Sequence, residues 1–170
     1  MAQGFIDLVN GKLKRVLAII TSAGAGDSGK IPALGSDGKL HESFMPAGIG
    51  ANVVVAVASE AIGAGKFVEL FADSGTFKMR LADNSNGRAA WGYVRTAVEA
   101  DASGTAYRLN TANAALSGLT IGEDYWLGTA GGVISAPLDP ETDTGKLSQY
   151  LGKASSATEL VTAEYAPVTL

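Results

Sequence analysis

The chain has no cysteine and a single histidine in 170 residues. Without thiols there is no disulfide, no thiolate metal site and no cysteine nucleophile, and the redox compartment stays open. The lone histidine, His41, sits between Glu42 and Ser43. Neighbours along an extended chain point their side chains apart, so these three do not form a triad; a polar residue on an exposed or intersubunit turn is the reading. Charge is scarce too, 18% of residues with a formal net of −4. A phosphate backbone would demand clustered Lys and Arg. The nearest approach, Lys12, Lys14 and Arg15 around Leu13, reads as the wet face of a strand. No apolar run approaches the ~20 residues of a membrane-spanning helix. Neither nucleic acid nor membrane is expected as a partner, and no cofactor or metal is implied.

What is present begins with a hairpin signal. Two apolar runs, Gly4 to Val9 and Lys12 to Thr21, flank Asn10-Gly11. Both turn residues accept positive φ, as a type I′ turn requires. The region also imitates a signal peptide, with cations before Val16 to Ile20 and an A-x-A match at Ala23 to Ala25. The apolar run is too short, and the supposed n-region is itself apolar at Phe5, Ile6, Leu8 and Val9, so no cleavage is expected. Gly24 to Lys30 then fits G-x-G-x-x-G and the first seven positions of a P-loop. Ile31 stands where a magnesium-binding hydroxyl should be, and Pro32, Gly35 and Gly38 forbid the helix that would present N–H groups to phosphate. A flexible Gly/Ala/Ser hinge fits better.

Residues 24 to 46 are too broken by Gly and Pro to make a useful helix, yet Ile31, Leu34, Leu40, Phe44 and Met45 are too apolar to leave in water. Such a segment is expected to fold against a partner. From residue 51 onward, short strands recur every 8 to 12 residues between glycine-bearing turns, the mark of an all-β sandwich or barrel. Thr76 to Leu81 alternates cleanly, putting Phe77, Met79 and Leu81 on one face of a half-buried antiparallel strand. Burying those three contributes about 1.5 to 3 kcal/mol each, an upper estimate. Further strands are expected at 53–58, 67–72, 89–98, 106–110, 125–127, 132–135, 149–154, 159–162 and 167–170; the one helix-compatible stretch is Thr111 to Leu116. Trp91, Val94, Tyr125 and Leu127 join the expected core or its interfaces. The expected architecture is an antiparallel β-sandwich or barrel over 51–170, preceded by an N-terminal hairpin and extended arm over 1–50 for oligomerisation and attachment.

Chemistry-bearing patterns are thin. Asp139-x-Glu141-x-Asp143-x-Gly145 resembles a calcium loop, but its glycine is one place late and Tyr150 replaces the bidentate Glu, so a solvated acidic turn is expected. Trp91/Tyr93 and Tyr125/Trp126 could form a sugar platform, though alternating aromatics on strands more often belong to a core or subunit interface. The carboxylates are too scattered to nominate an acid/base pair. An enzyme is not expected.

A family resemblance rests on the run Thr21 to Leu34, on Gly38-Lys39-Leu40 continuing to Met45-Pro46-Ala47-Gly48-Ile49-Gly50, and on Glu60-Ala61-Ile62-x-Ala64-Gly65-Lys66-Phe67-Val68. It continues through Gly118-Leu119-Thr120-x-Gly122, Tyr125-Trp126-Leu127, Gly131-Gly132-Val133-Ile134 and Gln149 to Thr158. Together these resemble the capsid decoration (cement) or head-fibre proteins of tailed bacteriophages, over most of residues 21 to 170. The resemblance implies a virion protein made in the host cytoplasm, a homotrimer on the outer face of the head, where it binds the major capsid protein and stabilises capsomer junctions. The alternative is a head- or tail-fibre module that binds host-surface or mucosal glycans. On this reading Phe5, Ile6, Leu8, Val9, Val16, Leu17 and Ile19 are candidates for capsid contact, by strand addition. Ile31, Leu34, Leu40, Phe44, Met45 and Ile49 are candidates for packing about the trimer axis.

Overall fold

A computed structural model describes residues 4–45 and 53–170. The chain divides into two compact units, 1–50 and 51–170. In the first, β1 (Gly4–Val9) and β2 (Lys12–Leu17) form an antiparallel hairpin with Phe5 opposite Val16 and Leu8 opposite Leu13. Asn10 and Gly11 have φ of 51° and 73°, the two positive values of a type I′ turn. That geometry matches the right-handed twist of the strands, which is why this dipeptide closes the hairpin in two residues.

The second unit is all-β, with no α-helix among the described residues. Its strands are β3 (Val53–Ala58), β4 (Phe67–Asp73), β5 (Thr76–Leu81), β6 (Gly92–Val94) and β7 (Ser103–Arg108), which close a barrel in the order β3-β5-β4-β6-β7. Four of its five seams are antiparallel. The fifth, β3 against β5, is parallel, with Val57 beside Lys78 and Ala58 beside Met79. The direction follows from the chain path, because the β4–β5 hairpin returns beside the end of β3 and closure leaves β5 no other neighbour. A five-stranded antiparallel sheet follows, ordered β10-β9-β12-β13-β8: β8 (Ala112–Asn113), β9 (Asp124–Leu127), β10 (Val133–Ile134), β12 (Tyr150–Ala154) and β13 (Leu160–Thr162). The short β11 (Leu147–Ser148) pairs with β14 (Val168–Thr169).

Two apolar clusters hold this unit. The barrel interior is filled by Ala56, Ala58, Ile62, Val68, Met79, Val94, Val98 and Ala106. Small residues are required in so narrow a barrel. At Gly104 an added Cβ would lie 2.5 Å from Met79 Cε and from Val98 Cγ2, so the missing side chain makes room for two others. The larger cluster joins Phe67, Tyr93 and Leu109 to Tyr125, Leu127, Leu151 and Leu160 of the second sheet. Phe67 and Tyr93 meet edge to face at 6.1 Å. Tyr93 satisfies its hydroxyl with the Ala112 carbonyl, 2.6 Å away.

Three expectations need correction here. Phe77 is not core: the second residue of β5, it is 53% exposed, whereas Met79 on the same face is fully buried. Residues 89–98 are not one strand. Ala90 gives its N–H and C=O to the side-chain amide of Gln149, at 2.7 and 2.9 Å, so only Gly92–Val94 remains a ladder. The helix-compatible stretch contains β8 instead. There Thr111 Oγ1 donates to the Arg108 carbonyl, and buried Asn113 donates to the Gly65 carbonyl and accepts from Ala115 N–H. Side chains that bond backbone in this way compete with a helical ladder.

Candidate interaction surface

Cross-strand partners share a face, so the hairpin register sorts the attachment candidates. Ile6, Leu8 and Leu17 stand on one face with Leu13 and Arg15, and the four apolar side chains are 50 to 77% exposed. Phe5 and Val16 lie on the other, half-buried against each other in register, with Asp7 opposite Lys14. The seven candidates therefore do not form one surface. Ile19 lies beyond the hairpin in a bridge to Pro32: its N–H donates to the Ile31 carbonyl at 3.0 Å and its carbonyl accepts from Ala33 N–H at 2.7 Å. The side chain of Val9 lies outside the described residues.

Sequence reasoning missed Leu13, which at 77% is the most exposed large hydrophobic among the described residues. Its cationic neighbours suggested a wet face, but only Lys12 and Lys14 share one; Arg15 sits on the apolar side, across from Ile6. Counting alternation from the Asn-Gly turn outward would have found it.

Of the axial candidates, Ile31, Leu34, Leu40 and Met45 are exposed and Phe44 is half-buried; Ile49 lies outside the described residues. The segment that carries them is held by local bonds. Gly35 N–H reaches the Lys39 carbonyl at 2.8 Å, and Ser43 Oγ accepts Ser22 N–H at 2.8 Å. Ser43 N–H donates to His41 Nδ1 at 3.1 Å, which makes that exposed ring part of a turn. Among the described side chains of residues 4–45 none is buried. Among the described residues, nine of the sixteen exposed large hydrophobics lie between Ile6 and Met45. With no buried side chain among its described residues, this unit rests on half-buried contacts, the Asp27–Lys30 ion pair and hydrogen bonds, a marginal basis for a ribbon of two strands.

The decoy motifs resolve in physical terms. In the glycine-rich loop Asp27 accepts Ala23 N–H and Lys30 Nζ, both at 2.6 Å, so the place of a bound phosphate is taken by the chain's own carboxylate. The Lys30 ammonium and that N–H hold Asp27 below the ordinary carboxylate range. In the acidic turn, Asp139 accepts Glu141 N–H at 2.9 Å, and Asp143 accepts Asp139 N–H and Lys146 Nζ at 3.0 and 2.7 Å. Those oxygens cap a turn. The aromatic pairs separate as well: Tyr93 and Tyr125 are buried, while Trp91 and Trp126 stay partly accessible. Trp126 packs edge-on to Tyr150, and Tyr150 edge-on to Tyr165.

No family model matches the chain, and no curated protein matches it. Among solved structures it is similar to the crystal structure of the head fiber gp8.5 N base in bacteriophage phi29, with a TM-score of 0.43 and 14% identity over 65% of this chain and 92% of that one. An overlap this loose transfers nothing to the present chain.

Proposed function

We propose that the chain is a structural virion protein, a homotrimeric decoration (cement) protein that binds the outer face of a phage head through its major capsid protein and stabilises capsomer junctions. The observation that carries this reading is the apolar exposure of the first unit, in contrast to a second unit that has its own core. The apolar face of Ile6, Leu8, Leu13 and Leu17, with free strand edges among the described residues, suits strand addition or face packing onto a shell subunit. Ile31, Leu34, Leu40, Phe44 and Met45 would then pack between copies. Three arms on one trimer gain from avidity, because one engaged arm holds the others near their sites. A trimer bound across a capsomer joint resists opening of that joint because the bound surface is lost when it opens.

The test mixes purified protein with undecorated phage heads and follows binding and the temperature of DNA release. Saturable binding with a raised release temperature is expected. Absence of binding, or binding that leaves the release temperature unchanged, refutes the cement role.

A further inference from the structure

A groove of about 470 Å³ opens on the second unit, and Trp91, Tyr165, Glu69 and Glu164 are among the residues that wall it. The volume suits a small organic ligand. Two further clefts of similar size lack such walls. One has Tyr125, whose hydroxyl is already fixed to Thr120 N–H at 2.8 Å, and the other has no ring.

Each wall is held in place yet left accessible. Tyr165 is 59% exposed, and its ring is braced edge-on by Tyr150 at 5.3 Å. Trp91 is half-buried against the barrel cluster. Among the described residues its indole N–H has no hydrogen-bond acceptor, and no buried side-chain nitrogen or oxygen lacks a partner there, so that donor is accessible to solvent. The carboxylates are oriented as well. Arg80 Nε donates to Glu69 Oε2 at 2.6 Å, and Oε1 has no hydrogen-bond donor among the described residues. Arg108 grips Glu164 with Nε and Nη2 at 3.0 and 2.7 Å, and each carboxylate oxygen keeps acceptor capacity. Gln149 spends its amide on the Ala90 backbone, which joins two of the groove's lining residues.

We propose that this groove binds a neutral oligosaccharide. Aromatic faces take the apolar C–H faces of a pyranose, while the indole N–H and the carboxylate oxygens take its hydroxyls. Acidic sugars are disfavoured by the unit's net charge, since residues 51–170 carry thirteen Asp and Glu against eight Lys and Arg, while Arg80 and Arg108 are already committed to Glu69 and Glu164. The inference is independent of the attachment role, since it uses no residue of the first unit.

The test applies the full-length protein to an array of neutral oligosaccharides and of sialylated or uronate-bearing ones, then titrates a retained sugar against the protein. Neutral sugars are expected to be retained and acidic ones not. Tyr165→Ala should weaken binding at least about tenfold, and Tyr165→Phe should restore most of it. Trp91→Phe guards against a folding defect in Trp91→Ala. Retention of no neutral sugar, preference for acidic sugars, or binding unchanged in both Tyr165→Ala and Trp91→Ala overturns the proposal.

Discussion

The hairpin strand that carries Ile6 and Leu8 and the barrel strand that carries Ala56 and Ala58 obey the same two-residue alternation, but one turns its apolar face to water and the other to a closed interior. The difference is closure. A two-stranded ribbon has two faces and two edges with nothing to cover them, whereas five strands joined edge to edge cover one face completely. Charge divides along the same line. The first fifty residues carry five Lys and Arg against four Asp and Glu, so all of the net negative charge lies beyond them. One region encloses a core of its own, and among the described residues of the other no side chain is buried.

The largest effect expected from breaking this contrast is in the core of the second unit. Phe67 is fully buried among Tyr93, Leu127 and their neighbours. Phe67→Ala should cost about 3 to 5 kcal/mol, read as a lower urea midpoint, since transfer and cavity terms add. By contrast, Leu8→Asp with Leu13→Asp should leave that midpoint within about 0.5 kcal/mol, because neither side chain is buried. The same pair should abolish binding to heads. A fall in the midpoint as large as that of Phe67→Ala would mean the two regions are one cooperative structure.

Oligomerisation gives the next test. Phe44→Asp with Met45→Asp should yield monomers in sedimentation velocity while the second unit keeps its unfolding midpoint. Unchanged trimers would remove this segment from the interface, and a monomeric wild type would remove the trimer itself.

These expectations trace back to what could be read from residues. The strand limits 53–58 and 76–81 were legible because alternation and flanking turns agree there, and the hairpin turn was legible because Asn-Gly has few other uses. The start of strand β6 was not, since it depends on Gln149, which lies 59 residues from Ala90. The parallel seam depends on barrel closure, a global property. Leu13 was hidden because adjacent cations masked its parity, and the Tyr165 wall was hidden because nothing local links it to Trp91. Long-range contacts of this kind leave no mark on a short window.

A smaller effect isolates the hairpin. Gly11 has φ of 73°, where a Cβ is strained although the space around it is open. Gly11→Val should cost the hairpin about 1 to 2 kcal/mol. Amide exchange of residues 5–16 should accelerate while that of Val68, Met79 and Val94 does not, because strain confined to the ribbon has no route into a separately closed core.

The smallest effect concerns acid, and it probes the second unit's loops. Asp83 sits just after β5; burial pushes its carboxyl up, but Ser85 and Ala130 N–H groups, the Ser85 hydroxyl and the nearby Arg88 outweigh that and hold it below its ordinary value of 3.8. A carboxylate depressed in the folded state contributes stability that is present above its unfolded value and lost as pH falls through the folded one. Stability of the wild type should therefore decline below about pH 4. Asp83→Asn removes this titration, so its unfolding midpoint should be lower than wild type at neutral pH and should converge with it in acid. Parallel curves for the two proteins would show that the Ser85 and Ala130 bonds do not depend on charge, and would pass the acid response to the surface pairs Asp124–Lys153 and Asp143–Lys146, where Lys153 and Lys146 lower the carboxyls in the same direction.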